Sequence, residues 1–204
     1  MMRSFIAIPV PREAKDYIAT AQQFLKKHGV KAKWTRPESS HLTLLFLGDQ
    51  EQADLDRFCD ALAPRMASID PFDLELDQLD TFGRTPRVLF LGWRESRPEA
   101  FAELSETVSN TAVDIELPLR EPPGRKKPVP HLTLARFKTR GDAKSLYKIG
   151  DRDRDSHQWD WEIRLPAPPK PARSFAVDRV TLYQSTLTPH GAIYDVIREL
   201  PLGG

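Results

Sequence analysis

The word His-Leu-Thr-Leu occurs twice in this chain, at 41–44 and at 131–134, although the 204 residues include only five histidines. On a β-strand, side chains i and i+2 share one face, roughly 6–7 Å apart. The spacing therefore predicts that His41 and Thr43 point together, as do His131 and Thr133. Leu42, Leu44, Leu132 and Leu134 are then expected to face a core. Histidine is the side chain whose charge changes near neutral pH. Two of them facing each other can hold one neutral imidazole as base and one imidazolium as acid, and such catalysis gives about 10²–10⁴-fold per positioned group. The threonine hydroxyls, with the histidine N–H groups, suit the non-bridging oxygens of a phosphate. One such histidine is commonly just a hydrogen-bonded strand residue; two identical copies are not so easily explained. No His, Asp, Glu and Cys cluster has metal-ligand spacing, and no glycine-rich phosphate loop appears, so neither a metal nor a nucleotide cofactor is expected.

Other residues flank the motifs. Arg136 stands where the first copy has Phe46. Strict alternation turns Arg136 away from His131, whereas a bulge would bring its guanidinium to a phosphate. Arg125, Lys126 and Lys127 precede the second motif and could meet further phosphates of a ligand. Trp34 and Phe46 could stack on a base, although the core is the commoner place for both. His28 fits a helix C-terminus, and His157 and His190 fall in loops.

The elements that must position these groups follow from pattern. "RSFIAIPV" reads as a buried strand, residues 11–29 as a helix, "KAKWT" as a short strand and "HLTLLFLG" as a strand closed by glycine. Leu55, Phe58, Leu62, Met66 and Ile69 have helical spacing, with Pro64 expected to kink or shorten that helix. "FDLELDQL" and "PRVLFLGW" form a hairpin. Phe101, Leu104, Val108 and Ala112 mark another helix, "VDIELPL" alternates like a strand, and "HLTLARF" is a strand. "AKSLYKIG" is a short helix, "DRDRDSHQ" a solvated and mobile loop, "WDWEIRL" a strand, and "PAPPKPA" a stiff connector. "FAVDRVTLYQSTL" and "AIYDVIREL" make a closing hairpin. Interleaved helices with several short strand–strand turns argue against a doubly wound parallel sheet and for α+β with mostly antiparallel sheets. The two motifs each follow a helix and precede helical sequence, as two duplicated lobes would arrange them.

Hydrophobic residues make up 40% and the formal net charge is +1, so any phosphate-binding surface must be local. The lone Cys59 excludes an intrachain disulfide and fits a reducing compartment. The absence of a long apolar run argues against a membrane span, and a cytoplasmic protein is expected.

The paired words, with "FIAIPVP", "WTRPESSHLTLLFLG", "PRVLFLGW", "VPHLTLARF" and "LYQSTLTPHGAIYDVI", resemble the 2H phosphoesterases, specifically the bacterial and archaeal RNA 2′,3′-cyclic phosphodiesterases, also called 2′-5′ RNA ligase-like proteins. The resemblance covers essentially the whole chain. It implies a single bilobal domain over residues 1–204, with two mostly antiparallel sheets, helices outside, pseudo-twofold symmetry and an active cleft between the lobes. It further implies metal-independent hydrolysis of an RNA 3′ end bearing a 2′,3′-cyclic phosphate to a 2′-phosphate. His41 would be the proton donor and His131 the proton acceptor, with Thr43, Thr133 and Arg136 binding phosphate. A monomer without cofactor is expected. From the residues alone the two histidine roles are interchangeable. The competing readings are a 2′-5′ RNA ligase, a related 2′-5′ or cyclic-nucleotide phosphodiesterase, and a non-catalytic RNA-end binding protein.

Overall fold

Alternating and continuous apolar runs become strands that bury one or both faces. The computed structural model describes residues 1–119, 128–189 and 191–203. Its strands are β1 (Met2–Pro9), β2 (Lys33–Trp34), β3 (His41–Gln50), β4 (Phe72–Phe82), β5 (Val88–Glu95), β6 (His131–Arg136), β7 (Gly150–Arg152), β8 (Trp159–Trp161), β9 (Ser174–Val177), β10 (Arg179–Thr188) and β11 (Gly191–Pro201). The helices are α1 (Arg12–Lys27), α2 (Gln52–Ala67), α3 (Ala100–Asp114) and the short α4 (Arg140–Lys144) and α5 (Lys170–Arg173).

Two antiparallel sheets carry the fold, one ordered β11-β10-β1-β3 and the other β2-β6-β5-β4-β9. A strand–helix–strand unit recurs in them. The first sheet contains β1 and β3, joined through α1 and β2, while the second contains β5 and β6, joined through α3. In each sheet a third strand, β10 or β4, pairs on the far side of the leading strand. The expected α+β class and its internal symmetry are thus present. One apolar cluster links both sheets and the helices, including Ile6, Leu42, Leu55, Phe58, Phe101 and Leu132. Helix α1 is tied to the second sheet by buried Gln22, whose amide donates to the carbonyls of Thr35 and Leu134. No described helix is long and apolar enough to cross a membrane.

Several local readings are corrected. Helix α2 runs through Pro64 but ends at Ala67, short of Ile69, because a proline in the last turn removes one backbone bond where few remain to be broken. "VDIELPL" is not a strand: Val113 and Asp114 finish α3, and Leu117 N–H then folds back to the Ala112 carbonyl. "DRDRDSHQ" is not simply a solvated loop. Asp151 and Arg152 belong to β7, and the Asp153 carboxylate accepts from Asp155 N–H, Ser156 N–H and Ser156 Oγ–H, closing the turn to β8. "WDWEIRL" keeps only three residues as strand, and Lys170–Arg173 of the proline-rich connector forms a helical turn. "FAV" leaves the terminal hairpin and pairs with β4 in the other sheet.

Candidate active site

Each histidine begins a strand and is fixed by the chain just before it. Ser40 is extended before His41, and His41 Nδ1–H donates to the Ser39 carbonyl at 2.9 Å. His131 does the same with the Val129 carbonyl at 2.8 Å. A carbonyl only accepts, so in each neutral ring the proton sits on Nδ1 and Nε2 carries the lone pair. Aromatic walls complete both settings. The His41 ring lies 4.5 Å from Phe5 and 5.0 Å edge-on from Tyr194. The His131 ring lies edge-on to Phe82 at 4.7 Å and to Phe90 at 5.4 Å.

These walls half-bury both rings and set their charge. Burial holds His41 down to about 4, only partly offset by the Ser39 carbonyl, with the nearby charges of Lys15 and His131 adding to the depression. Burial likewise lowers His131, the Val129 carbonyl opposes it, and the charge of Arg136 lowers it further. The two histidines begin strands of different sheets, yet the charge of His131 is near enough to act on His41. Lowered in this way, both imidazoles favour the neutral form at pH 7; an anion placed between them favours adding one proton back.

The threonines follow the expected geometry. Thr43 lies opposite Ala7 and Thr133 opposite Phe90, while Leu42 and Leu132 are fully buried on the other face. No side chain or backbone group among the described residues engages either hydroxyl. Immediately afterwards the register slips in both copies. Ala7 pairs with Thr43 but Ile6 with Leu45, and Phe90 pairs with Thr133 but Leu89 with Ala135. The extra residues are Leu44 and Leu134, at the same place in each motif. A bulge of this kind reverses the alternation beyond it. Arg136, opposite Val88, therefore returns to the face of Phe90, Thr133 and His131, as does Phe46, opposite Phe5, to the face of His41.

Phe46 is thus 66% exposed and not a core residue. Trp34 is the core-facing one, packed against the interior with Lys26 5.2 Å over its ring. His28 caps α1, as its position in the sequence implies. His157 lies in the β7–β8 turn, its carbonyl accepting from Arg152. Arg125, Lys126, Lys127 and His190 lie outside the described residues. Among those described, no three His, Cys, Asp or Glu side chains stand together as a metal site.

The sequence reading missed Phe5, Phe82, Phe90, Tyr183 and Tyr194, which line the histidines or abut those that do. It also missed the support behind Phe82. Trp159 Nε1–H donates to Thr81 Oγ1, and the Arg152 guanidinium donates to the carbonyls of Gly83 and Arg84. The β7–β8 hairpin thus brackets Phe82 from outside the sheet. Only the aromatic content of the strands hinted at the walls, since strand order is not written locally.

Comparison with known proteins agrees with this architecture. Over 207 residues the chain is 30% identical to the RNA 2′,3′-cyclic phosphodiesterase of Thermotoga maritima, covering all of this chain and 97% of that one. It is 31% identical to the protein of the same description from Methanocaldococcus jannaschii, covering 97% and 99%. In fold it matches the ligand-free crystal structure of E. coli LigT with a TM-score of 0.69 at 22% identity, over 100% and 98% of the two chains. It also matches the crystal structure of TT0787 from Thermus thermophilus with a TM-score of 0.67 at 25% identity, over 100% and 99%. The family model of the 2′-5′ RNA ligase superfamily covers residues 10–188, and the chain with its paired His-x-Thr-x strands belongs to that superfamily of 2H phosphoesterases.

Proposed function

We propose that this protein hydrolyses the 2′,3′-cyclic phosphate at an RNA 3′ end, leaving a 2′-phosphate and a free 3′-hydroxyl, by acid–base catalysis between His41 and His131. The observation that carries the reading is the matched tether: both imidazoles are held by Nδ1, which leaves Nε2 as the lone-pair nitrogen of each. A binding protein needs donors there, not two free lone pairs. In the step proposed, His131 Nε2 takes a proton from water as its oxygen bonds to phosphorus. The P–O3′ bond breaks, and protonated His41 gives its Nε2 proton to O3′. The assignment of acid to His41 and base to His131 follows the family resemblance. The relatives described as RNA 2′,3′-cyclic phosphodiesterases support the substrate class. Thr43, Thr133 and Arg136 hold the non-bridging oxygens, whose charge grows as water adds. On this reading the chain is one bilobal domain, each lobe supplying one histidine.

The test is a short RNA ending in a 2′,3′-cyclic phosphate, turned over in EDTA, with the product phosphate located by NMR. A 2′-phosphate is expected. A 3′-phosphate, or binding without turnover, overturns the reading.

Arg136→Ala is expected to raise KM roughly tenfold, the scale of one lost charge-assisted hydrogen bond, and not to lower the unfolding midpoint because the side chain is exposed. Steady-state kinetics with a parallel urea titration checks both parts. An unaltered KM would return Arg136 to the solvated surface.

A further inference from the structure

The β2–β6 ladder sets Lys33 directly opposite Arg136, and Trp34 opposite Ala135. Residues directly opposite in an antiparallel pair share a face, with Cα atoms about 5 Å apart. Ala135 is buried and Trp34 packs on the core beneath Lys26 of α1. Lys33 therefore leaves the strand on the other side, the cleft side, beside Arg136 and on the face of Thr133 and His131. Both cations are exposed, and neither makes an ion pair among the described residues. Like charges directly opposite on a ladder repel. An anion between or above them removes that penalty.

The reacting phosphodiester accounts for one of the two. Arg136 is the nearer, since it shares β6 with His131 and its charge acts on that imidazole. Lys33 stands one strand farther out, on the edge strand from which the chain crosses to His41. We infer that Lys33 binds a second phosphate, the phosphodiester on the 5′ oxygen of the terminal nucleotide, and so makes an RNA chain a better substrate than a cyclic mononucleotide. The inference rests on the proposed hydrolysis at the same cleft. Net charge is +1, so a local pair of cations is the economical way to recognise an oligonucleotide end without coating the protein in positive charge.

Three substrates test it: adenosine 2′,3′-cyclic phosphate, its 5′-phosphorylated form, and the dinucleotide ApA ending in a 2′,3′-cyclic phosphate. At low salt the wild-type protein is expected to favour the dinucleotide over the unphosphorylated mononucleotide roughly tenfold in kcat/KM, the scale of one charged contact. Lys33→Gln should collapse that ratio toward one and reduce the log–log salt slope for the dinucleotide by about one. Lys33→Arg should restore both. A Lys33→Gln variant that slows all three substrates equally would mean both cations grip one phosphate, and an unchanged ratio would mean Lys33 grips none. A benefit confined to the 5′-phosphorylated mononucleotide would overturn the RNA chain as its source. If the wild-type protein turns over none of the three, the hydrolysis reading falls. Lys33 is then judged by calorimetry with the stable 3′-phosphates Ap and ApAp, where Lys33→Gln must weaken ApAp more than Ap.

Discussion

His131→Ala and His41→Ala are each expected to lower kcat for a cyclic-phosphate end by about 10²–10⁴-fold. The double variant should lose little beyond the worse single one, because acid and base serve one displacement and fail as a unit. Far-UV dichroism and the unfolding midpoint serve as controls for the fold. The two roles separate with a p-nitrophenyl phosphodiester, whose leaving group departs without a proton. There the His41→Ala deficit should shrink toward nothing while that of His131→Ala persists. Equal rescue of both variants, or a deficit below tenfold in either, would sink the two-histidine mechanism.

The second large effect concerns acid. The pKa of His41 is lowered in the folded protein to about 4 from an ordinary 6.5, chiefly by burial, and that of His131 is lowered too. Between those values the unfolded chain binds more protons than the folded one, so stability rises with pH through this window and falls on acidification. From pH 7 to pH 5, His41 alone should remove at most about 2 kcal/mol, an upper bound because the half-buried ring retains some solvent. His131 acts in the same direction. Urea unfolding at the two pH values checks the size, and in a His41→Gln variant the difference should contract by that amount. A wild-type stability flat from pH 7 to 5 would show that the rings are not held neutral by their walls. The same depression displaces the kcat/KM profile to acid pH. The kcat profile, measured with phosphate bound, should lie nearer neutrality, its limbs belonging to the coupled pair.

What could be read from the residues divides along a physical line. Period-two patterning placed His41, Thr43, His131 and Thr133 on common faces, with Leu42 and Leu132 in the core, because side-chain direction is a local property of a strand. The bulges at Leu44 and Leu134 were not legible. Nothing in Leu-Leu-Phe or Leu-Ala-Arg says which residue the partner strand will skip, and that choice alone decides where Phe46 and Arg136 point. The same limit hid Lys33, whose importance comes from lying across from a residue more than a hundred positions away. "VDIELPL" misled for the converse reason: its alternation is genuine, but the preceding helix still had hydrogen bonds to close. The two tryptophans of β8 read as strand residues. Their indole N–H groups in fact dock the β7–β8 hairpin onto the end of β4, next to Phe82.

The Nδ1 tethers bear on how many motions the cleft must control. Each bond spans only two residues, from Ser39 to His41 and from Val129 to His131, so each half-site sets its own ring orientation and tautomer within its own lobe. Orientation and tautomer are settled locally, and only the charge of each imidazole is felt across the gap. What remains is close to a single coordinate, the separation of the two sheets. A ligand that bridges the two imidazoles acts along that coordinate.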